Sequence, residues 1–317
     1  MHVKNWSNDI NAVWGSISKV FLGGDELIQS LLATFLAGGH ALLIGPVGSG
    51  KTTLAKALAH AVGGTYKRVQ VTNETLPSDI IGFSVYLRDG DTRVVKGPIF
   101  SNIVLLDELN RAPPRTLSAL LEAMQERQVT IDGAPLQLPD PHIVVATMNV
   151  AEVELGFTSQ LPVAVLDRFT SSIRVNYVAE ETERLVLRSI DEIDNELAKP
   201  NPAIRIEDSG KLIEAVKGVY VSDDLVRYIF DIVRLLRGDA RLMIKLSTRA
   251  PISIYKLARA FAFLGGRNYA IPDDVKAAAR LALPHRLIIR PEYGEAVDPI
   301  NMVEDALNQV KVPVLVQ

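Results

Sequence analysis

The chain of 317 residues contains no cysteine. Disulfides, a thiol nucleophile and cysteine-ligated zinc are therefore excluded. Its 5 histidines show no metal-ligand spacing. No apolar run approaches the ~18 residues a membrane-crossing helix needs. The N-terminus, Met1-His2-Val3-Lys4-Asn5-Trp6, lacks the long apolar core of a signal peptide. Charge of neither sign dominates: 34 Lys and Arg against 37 Asp and Glu leave a net −3. Nothing global draws the chain to nucleic acid or to an anionic membrane. With 48% hydrophobic and 22% charged residues it has ordinary globular composition. There is no internal repeat and no low-complexity segment. The length suits two domains, each with a real core. A soluble, cytoplasmic protein is expected.

What is present is organised around Gly45-Pro46-Val47-Gly48-Ser49-Gly50-Lys51-Thr52. It follows the apolar run His40-Ala41-Leu42-Leu43-Ile44 and precedes Thr53-Leu54-Ala55-Lys56-Ala57-Leu58-Ala59. That order reads as strand, glycine-rich turn and helix, with the spacing of a P-loop. Glycines let the backbone wrap until successive N–H groups converge on an anion. The helix start adds its own amides and dipole, and the cradle is expected to run from Gly45 through Thr53. Lys51 would reach the β- and γ-phosphates of a nucleoside triphosphate, and the Thr52 hydroxyl would ligate Mg²⁺.

The second anchor is the unbroken apolar run Asn102-Ile103-Val104-Leu105-Leu106 ending in Asp107-Glu108. A run without alternation suits a central strand covered on both faces. A P-loop enzyme needs a carboxylate on a neighbouring strand for Mg²⁺, and Asp107 is placed for it. Glu108 adds a carboxylate able to polarise an attacking water.

Around these anchors the patterns alternate. Asp25–Ala37 reads as a helix closed by Gly38-Gly39, and Lys67–Val71 as a strand. Thr75–Gly82 reads as a loop turning into a short helix, Val94–Phe100 as extended chain, and Pro114–Arg127 as a helix. A hairpin is expected around Asp132-Gly133, from Gln128 to Leu138. His142–Asn149 and Ser171–Tyr177 read as strands. After Val178 helices dominate: Ala179–Leu197, Ser209–Val216, Ser222–Leu236, Arg249–Leu264, Asp273–Ala282 and Pro299–Val310.

The segment Asp107-Glu108-Leu109-Asn110-Arg111-Ala112-Pro113-Pro114-Arg115-Thr116, continuing from Ser118 through Met124-Gln125-Glu126-Arg127 to Asp132-Gly133, resembles the MoxR family of AAA+ ATPases. Leu76-Pro77-Ser78-Asp79-Ile80, Gly97-Pro98-Ile99-Phe100, Leu166-Asp167-Arg168-Phe169 and Asp273-Asp274-Val275-Lys276 fit the same family. The resemblance covers roughly residues 15 to 312. It implies an α/β fold, a P-loop (RecA-like) parallel sheet with helices on both faces, followed by a smaller all-α lid. The expected boundaries are 1–180 for the core, 181–200 for a linker and 201–317 for the lid. It implies hydrolysis of ATP with Mg²⁺ in a homo-oligomeric ring, a hexamer, that remodels or matures a protein client. The implied partner carries a von Willebrand factor A domain. Asn149 is similar to the polar residue that orients the attacking water. Arg168 resembles the arginine finger that reaches a neighbouring subunit's γ-phosphate. Arg249, in Ser247-Thr248-Arg249-Ala250, resembles the lid arginine that reports nucleotide state, in its own site or a neighbour's.

Departures from the family pattern fall at Leu22-Gly23-Gly24, where adenine contacts are expected, at Lys245-Leu246, and from Val150 to Gln160, where an inserted helix is expected. A nucleic-acid-dependent AAA+ motor is the alternative. The hairpin Gln128–Leu138 has no Lys or Arg and carries Asp132, which argues against it. The cluster Arg227, Arg234, Arg237, Arg241, Lys245 and Arg249 is interleaved with Asp231 and Asp239, so a solvated or subunit-facing surface is the expectation. A non-hydrolysing nucleotide switch is disfavoured by Glu108.

Overall fold

The computed structural model describes residues 6–88, 91–149, 160–199, 201–293 and 297–313. The expected inserted helix, within Val150 to Gln160, falls almost wholly outside them, as does the apolar end of the chain. Five parallel strands form the main sheet: β1 (Ala41–Ile44), β2 (Tyr66–Gln70), β5 (Ile103–Asp107), β8 (Ile143–Met148) and β9 (Ser171–Arg174), in the order β2-β5-β8-β1-β9. Between them stand α3 (Lys51–Val62), α4 (Pro77–Ile81), α5 (Pro114–Glu126) and a short α6 (Val163–Leu166). Two helices precede the sheet, α1 (Ser7–Val20) and α2 (Asp25–Leu36).

The central strands are buried on both faces, and their side chains sort by parity. Leu43, Ile103, Leu105, Ile143 and Val145 face one core; Leu42, Val104, Leu106, Val144 and Ala146 face the other. That is the period-2 geometry of a strand with no solvent side, and it is why no polar residue interrupts β5 before Asp107. Each such side chain contributes about 1.5–3 kcal/mol of burial. The first core continues without a break into the C-terminal helices: α7 (Glu180–Ala198), α8 (Ile206–Lys217), α9 (Asp223–Arg237), α10 (Arg249–Leu264), α11 (Pro272–Ala282) and α12 (Pro299–Gln309). The region read as a linker is thus mostly helix.

Two antiparallel hairpins leave the sheet. β6 (Gln128–Ile131) and β7 (Ala134–Gln137) turn through Asp132 at φ 48° and Gly133 at φ 80°. Two consecutive left-handed residues match the twist of the strands they join, which is why Asp-Gly marks this turn. The other hairpin, β3 (Gly82–Tyr86) with β4 (Thr92–Lys96), is not what the sequence reading expected. Of the stretch read as extended, Val94–Phe100, only the part within β4, residues 94–96, is strand, and Pro98–Phe100 is a 3₁₀ turn. The overlooked signal is Asp89-Gly90 between Phe83-Ser84-Val85 and Val94-Val95. This hairpin exposes Phe83, Val85, Tyr86 and Val95.

Three histidines are buried as neutral rings. His40 accepts from Val144 N at 3.0 Å through Nδ1 and reaches Met124 O at 3.1 Å through Nε2, so its hydrogen bonds require one nitrogen without a proton. Burial, then the neighbouring His142, holds its pKa down to about 3. Burial likewise holds His142 down to about 4, and pushes His285 well below the ordinary value. Above pH ~6.5 neither folded nor unfolded chain carries these protons and the groups cost nothing. As pH falls below ~6.5 the unfolded chain takes them up and the folded chain does not, so stability is lost toward pH 4. Each group contributes up to ~1.4 kcal/mol per pH unit. Urea unfolding followed between pH 7 and 5 should therefore show a falling midpoint, in a window where free carboxylates scarcely titrate. A flat profile there would contradict the buried neutral rings.

Candidate active site

The carboxyl ends of β1, β5 and β8 are where a parallel sheet of this kind presents a ligand crevice. The loop after β1 is pinned by Gly45 N donating to Met148 O at 3.1 Å. A Cβ on Gly45 would lie 2.0 Å from Val175 O, so no other residue fits there. Gly50 caps α3 at φ 88°, a conformation costly for any side chain, with the Phe21 ring 3.2 Å from where its Cβ would be. The first helical bond of α3 runs from Leu54 N to Gly50 O at 2.9 Å. The amides of the turn before it have no acceptor within the helix and are oriented for an anion. Lys51 curls over the loop, its Nζ donating to Gly45 O at 2.8 Å and Pro46 O at 2.5 Å. Val47 is exposed, and its carbonyl accepts from Tyr177 Oη at 3.0 Å.

Asp107 ends β5 facing this loop. Thr52 Oγ1 donates to its Oδ2 at 3.3 Å, and Thr147 Oγ1 to its Oδ1 at 2.5 Å. Arg68, from the edge strand β2, donates Nη2 and Nε to Oδ2 at 2.6 and 3.0 Å. Glu108 sits in the left-handed region at φ 60°. A non-glycine residue there is strained and needs its surroundings to hold it. Glu108 N donates to Thr147 Oγ1 at 2.9 Å, and its carboxylate accepts from Arg111 Nε at 2.8 Å. Thr147 therefore braces both carboxylate residues. Lys51, Thr52, Asp107, Glu108, Asn149 and Arg68 all line one cavity of about 350 Å³.

A second chamber of about 440 Å³ shares the rim Gly48 to Gly50, Thr52 and Thr53. Its walls are mostly apolar, with Val20, Phe21, Leu22, Val186, Ile190 and Ile193, and carry Lys56, Glu183 and Asp194 as well. An anion-binding chamber joined to an apolar one is the division a nucleotide requires, phosphate at one end and base at the other. The sequence reading placed the expected adenine contacts at Leu22-Gly23-Gly24. The facing wall comes from α7, within the stretch read as linker.

Arg168 and Arg249 lie outside both chambers and beside each other. Arg168 Nη2 and Arg249 Nη2 both donate to Gln125 Oε1, at 2.5 and 3.1 Å. Arg168 Nε is buried without a partner among the described residues. Burial, then the Arg249 charge, pushes the Arg168 guanidinium below its ordinary pKa. Two cations converging on one neutral amide form a site that an incoming anion stabilises.

Beneath them, Asp167 joins sheet and lid. It accepts from Ser247 Oγ at 2.8 Å, Arg249 Nη1 at 3.4 Å and Arg286 Nε at 3.1 Å. Arg286 is only 5% exposed and also donates to Phe169 O at 2.7 Å and Ser253 Oγ at 3.0 Å. Burial lowers its pKa to about 10 against the opposing pull of Asp167, so it remains charged. Asp167→Ala would strand that buried charge, and a loss of about 3–5 kcal/mol is expected in denaturant unfolding. A variant within ~0.5 kcal/mol of the parent, the range of a surface change, would contradict the pairing.

Sequence reasoning missed Arg68, Thr147, Gln125, Asp167 and Arg286. Thr147 had a visible signal, a polar residue at i−2 from Asn149 on the strand that leads to it. Arg68, Gln125 and Arg286 act across elements far apart in sequence and had none. Of the basic cluster, Arg227, Arg234 and Arg241 pair with Asp224, Asp231 and Asp239 at 2.7, 2.8 and 2.6 Å, and Arg237 donates to the Leu246 and Ser247 carbonyls. That pairing interleaves each of the three paired arginines with a carboxylate, the pattern of a solvated or subunit-facing surface.

Residues 40–171 match the model of the ATPase family associated with various cellular activities (AAA), and residues 236–308 that of the AAA lid domain. The chain is 34% identical to Chaperone MoxR1 of Mycobacterium tuberculosis, over 94% of this chain and 80% of that protein. It is 31% identical to Protein MoxR of Paracoccus denitrificans, over 98% of each. It is 40% identical to the uncharacterized protein YeaC of Bacillus subtilis, over 94% of this chain and 93% of that one. A crystal structure from Cytophaga hutchinsonii, named as a candidate ATPase, superposes with a TM-score of 0.87 at 34% identity, covering 98% of this chain and 96% of that one.

Proposed function

The chain belongs to the MoxR family of AAA+ ATPases, and from that premise we propose that it hydrolyses Mg-ATP at the subunit interfaces of a hexameric ring and uses the cycle to remodel a protein client. One observation carries the reading. Lys51, Thr52, Asp107, Glu108 and Asn149 line one cavity, and Arg168 and Arg249 lie together outside it. A site divided in this way is completed by a neighbouring copy.

In the proposed cycle the Gly45–Thr53 cradle and Lys51 hold the phosphates, and the apolar chamber takes the adenine. Magnesium fits the donors present, since Thr52 Oγ1 and Asp107 Oδ2 are hard oxygens 3.3 Å apart at the phosphate end. When bound it would neutralise charge on the β- and γ-phosphates. Glu108 takes the proton of the attacking water, and Asn149 orients that water. Arg168 and Arg249 of the adjacent copy meet the γ-phosphate together; their shared contact to Gln125 supports Arg249 acting in trans. The proposed division remains 1–180 for the core, 181–200 for a linker whose helix walls the base chamber, and 201–317 for the lid.

The partner we propose is a protein with a von Willebrand factor A domain. The client-facing element we propose is the β3–β4 hairpin, whose Phe83 is 50% and Tyr86 77% exposed, more than a surface with no partner needs. No helix among the described residues is long and apolar enough to cross a membrane. The test is affinity capture with Glu108→Gln in ATP, which should hold an assembled ring on its partner. Adding Phe83→Ser with Tyr86→Ser should abolish capture while ATP-dependent assembly persists. A Glu108→Gln protein that stays monomeric in ATP and retains nothing would sink the reading.

A further inference from the structure

A third cavity, of about 390 Å³, lies at the opposite end of the sheet's strands from the P-loop. Gly38 enters it just before β1, Asp140 just before β8, and Arg127 just after α5; α8 and α10 close it from the lid side. Its walls carry four cations, Arg127, Lys217, Lys256 and Arg259, against two carboxylates, Asp140 and Glu214. This excess stands in a chain whose net charge is −3.

The two carboxylates are already engaged. Arg127 Nη1 donates to Asp140 Oδ1 at 2.9 Å, and Lys217 pairs with Glu214. Lys256 and Arg259 are left over. Lys256 stands solvent-exposed at the rim of the cavity and, among the described residues, makes no hydrogen bond and no ion pair. Partial desolvation of that side chain, then the Arg127, Lys217 and Arg259 charges, pushes its ammonium below the ordinary pKa. Arg259 spends Nε on Val216 O at 3.0 Å and lies over the Tyr255 ring at 5.4 Å. Its Nη2 is buried and has no partner among the described residues. Cations at helix C-termini have an ordinary role, since α2 and α8 both end beside this cavity. That role accounts for Arg259 Nε. It does not account for Nη2, and a buried donor left unmade is costly.

We propose that this cavity binds a small polyanion of the phosphate class, bridging Arg127 of the core to Lys256 and Arg259 of the lid. Guanidinium and ammonium groups around one volume suit an oxyanion with several acceptors on each centre. The volume lies in the range of small-molecule sites. A ring of cations closed by core and lid fits a compact ligand better than an extended acidic peptide. The site shares no residue with the P-loop chambers. An occupant would tie lid to core from the side opposite the nucleotide.

The test is calorimetric titration of inorganic tripolyphosphate into the full chain carrying Lys51→Ala, which silences the P-loop. One saturable site is expected. Lys256→Gln on that background should weaken it about tenfold or more, the worth of one charge-assisted hydrogen bond, and Lys256→Arg should restore it. Lys256 keeps contact with solvent, so unchanged thermal unfolding of Lys256→Gln would show that binding rather than folding was lost. Absence of a saturable site, or one indifferent to Lys256→Gln, overturns the proposal. Citrate binding as tightly as tripolyphosphate overturns the phosphate class, and tighter binding of hexaglutamate would assign the cavity to an acidic peptide instead.

Discussion

Glu108→Gln is expected to lower ATP turnover by about 10²–10⁴-fold, the usual contribution of a positioned general base, while ATP binding is retained. The substitution keeps the side-chain volume and removes only the ability to take a proton. Glu108 contributes no ligand to the proposed Mg²⁺ position, which rests on Thr52 and Asp107, so affinity should hold. The left-handed backbone at Glu108, braced through its own N–H by Thr147 at 2.9 Å, should survive as well. Thr147→Val separates this effect from a merely local one. It frees Asp107 Oδ1 and the Glu108 amide at once, and should impair both Mg²⁺-dependent nucleotide binding and turnover. Phosphate release under single-turnover conditions, beside equilibrium binding of a labelled ATP, measures the two parts. Undiminished turnover in Glu108→Gln would remove Glu108 from the chemistry.

Arg168→Ala is expected to cost about 10³–10⁵ in rate, the range for an arginine supplied to a phosphoryl-transfer site. Arg249→Ala should fall toward the same floor, because the two side chains share Gln125 and act on one anion. Residues that act as a unit are not additive, so the double variant should be little worse than either single one. Neither variant should lose its own nucleotide binding, since neither arginine lines the P-loop cavities. Mixing decides the geometry. Inactive Arg168→Ala subunits still carry an intact Glu108, and inactive Glu108→Gln subunits still carry an intact Arg168. Combined, they should regain part of the parent rate at interfaces where both intact halves meet. If no mixture recovers activity and the chain stays monomeric in ATP, hydrolysis is not shared between copies. Gln125→Ala is the companion probe. It should lower turnover less than either arginine variant, since it withdraws the common acceptor and leaves both charges.

The glycine-rich loop and the strand end facing it were legible because they are local. A P-loop is one contiguous segment whose backbone makes the site, and an apolar run ending in Asp107-Glu108 announces a buried strand with carboxylates at its edge. Asp132-Gly133 announced its hairpin for the same reason, both φ values being set by adjacent residues. Arg168 and Arg249 were legible as residues by their resemblance to the family. Their shared acceptor was not, since 81 positions separate them (249 − 168) and no periodicity links them.

By itself, then, the sequence determined the class of the fold, the glycine-rich loop before α3 and the carboxylates ending β5, features set by neighbours along the chain and by the parity of buried strands. Tertiary structure alone decided that Arg168 and Arg249 form one cationic pair outside the protomer's own cavity. It also decided that α7 walls the largely apolar chamber beside the loop, that Asp167 and Arg286 bind lid to core, and that four cations from core and lid surround one cavity. Each depends on which strands adjoin, in the order β2-β5-β8-β1-β9, and on where the lid helices pack against them. Those are contacts between distant segments, created by burial of apolar area that has no direction along the chain.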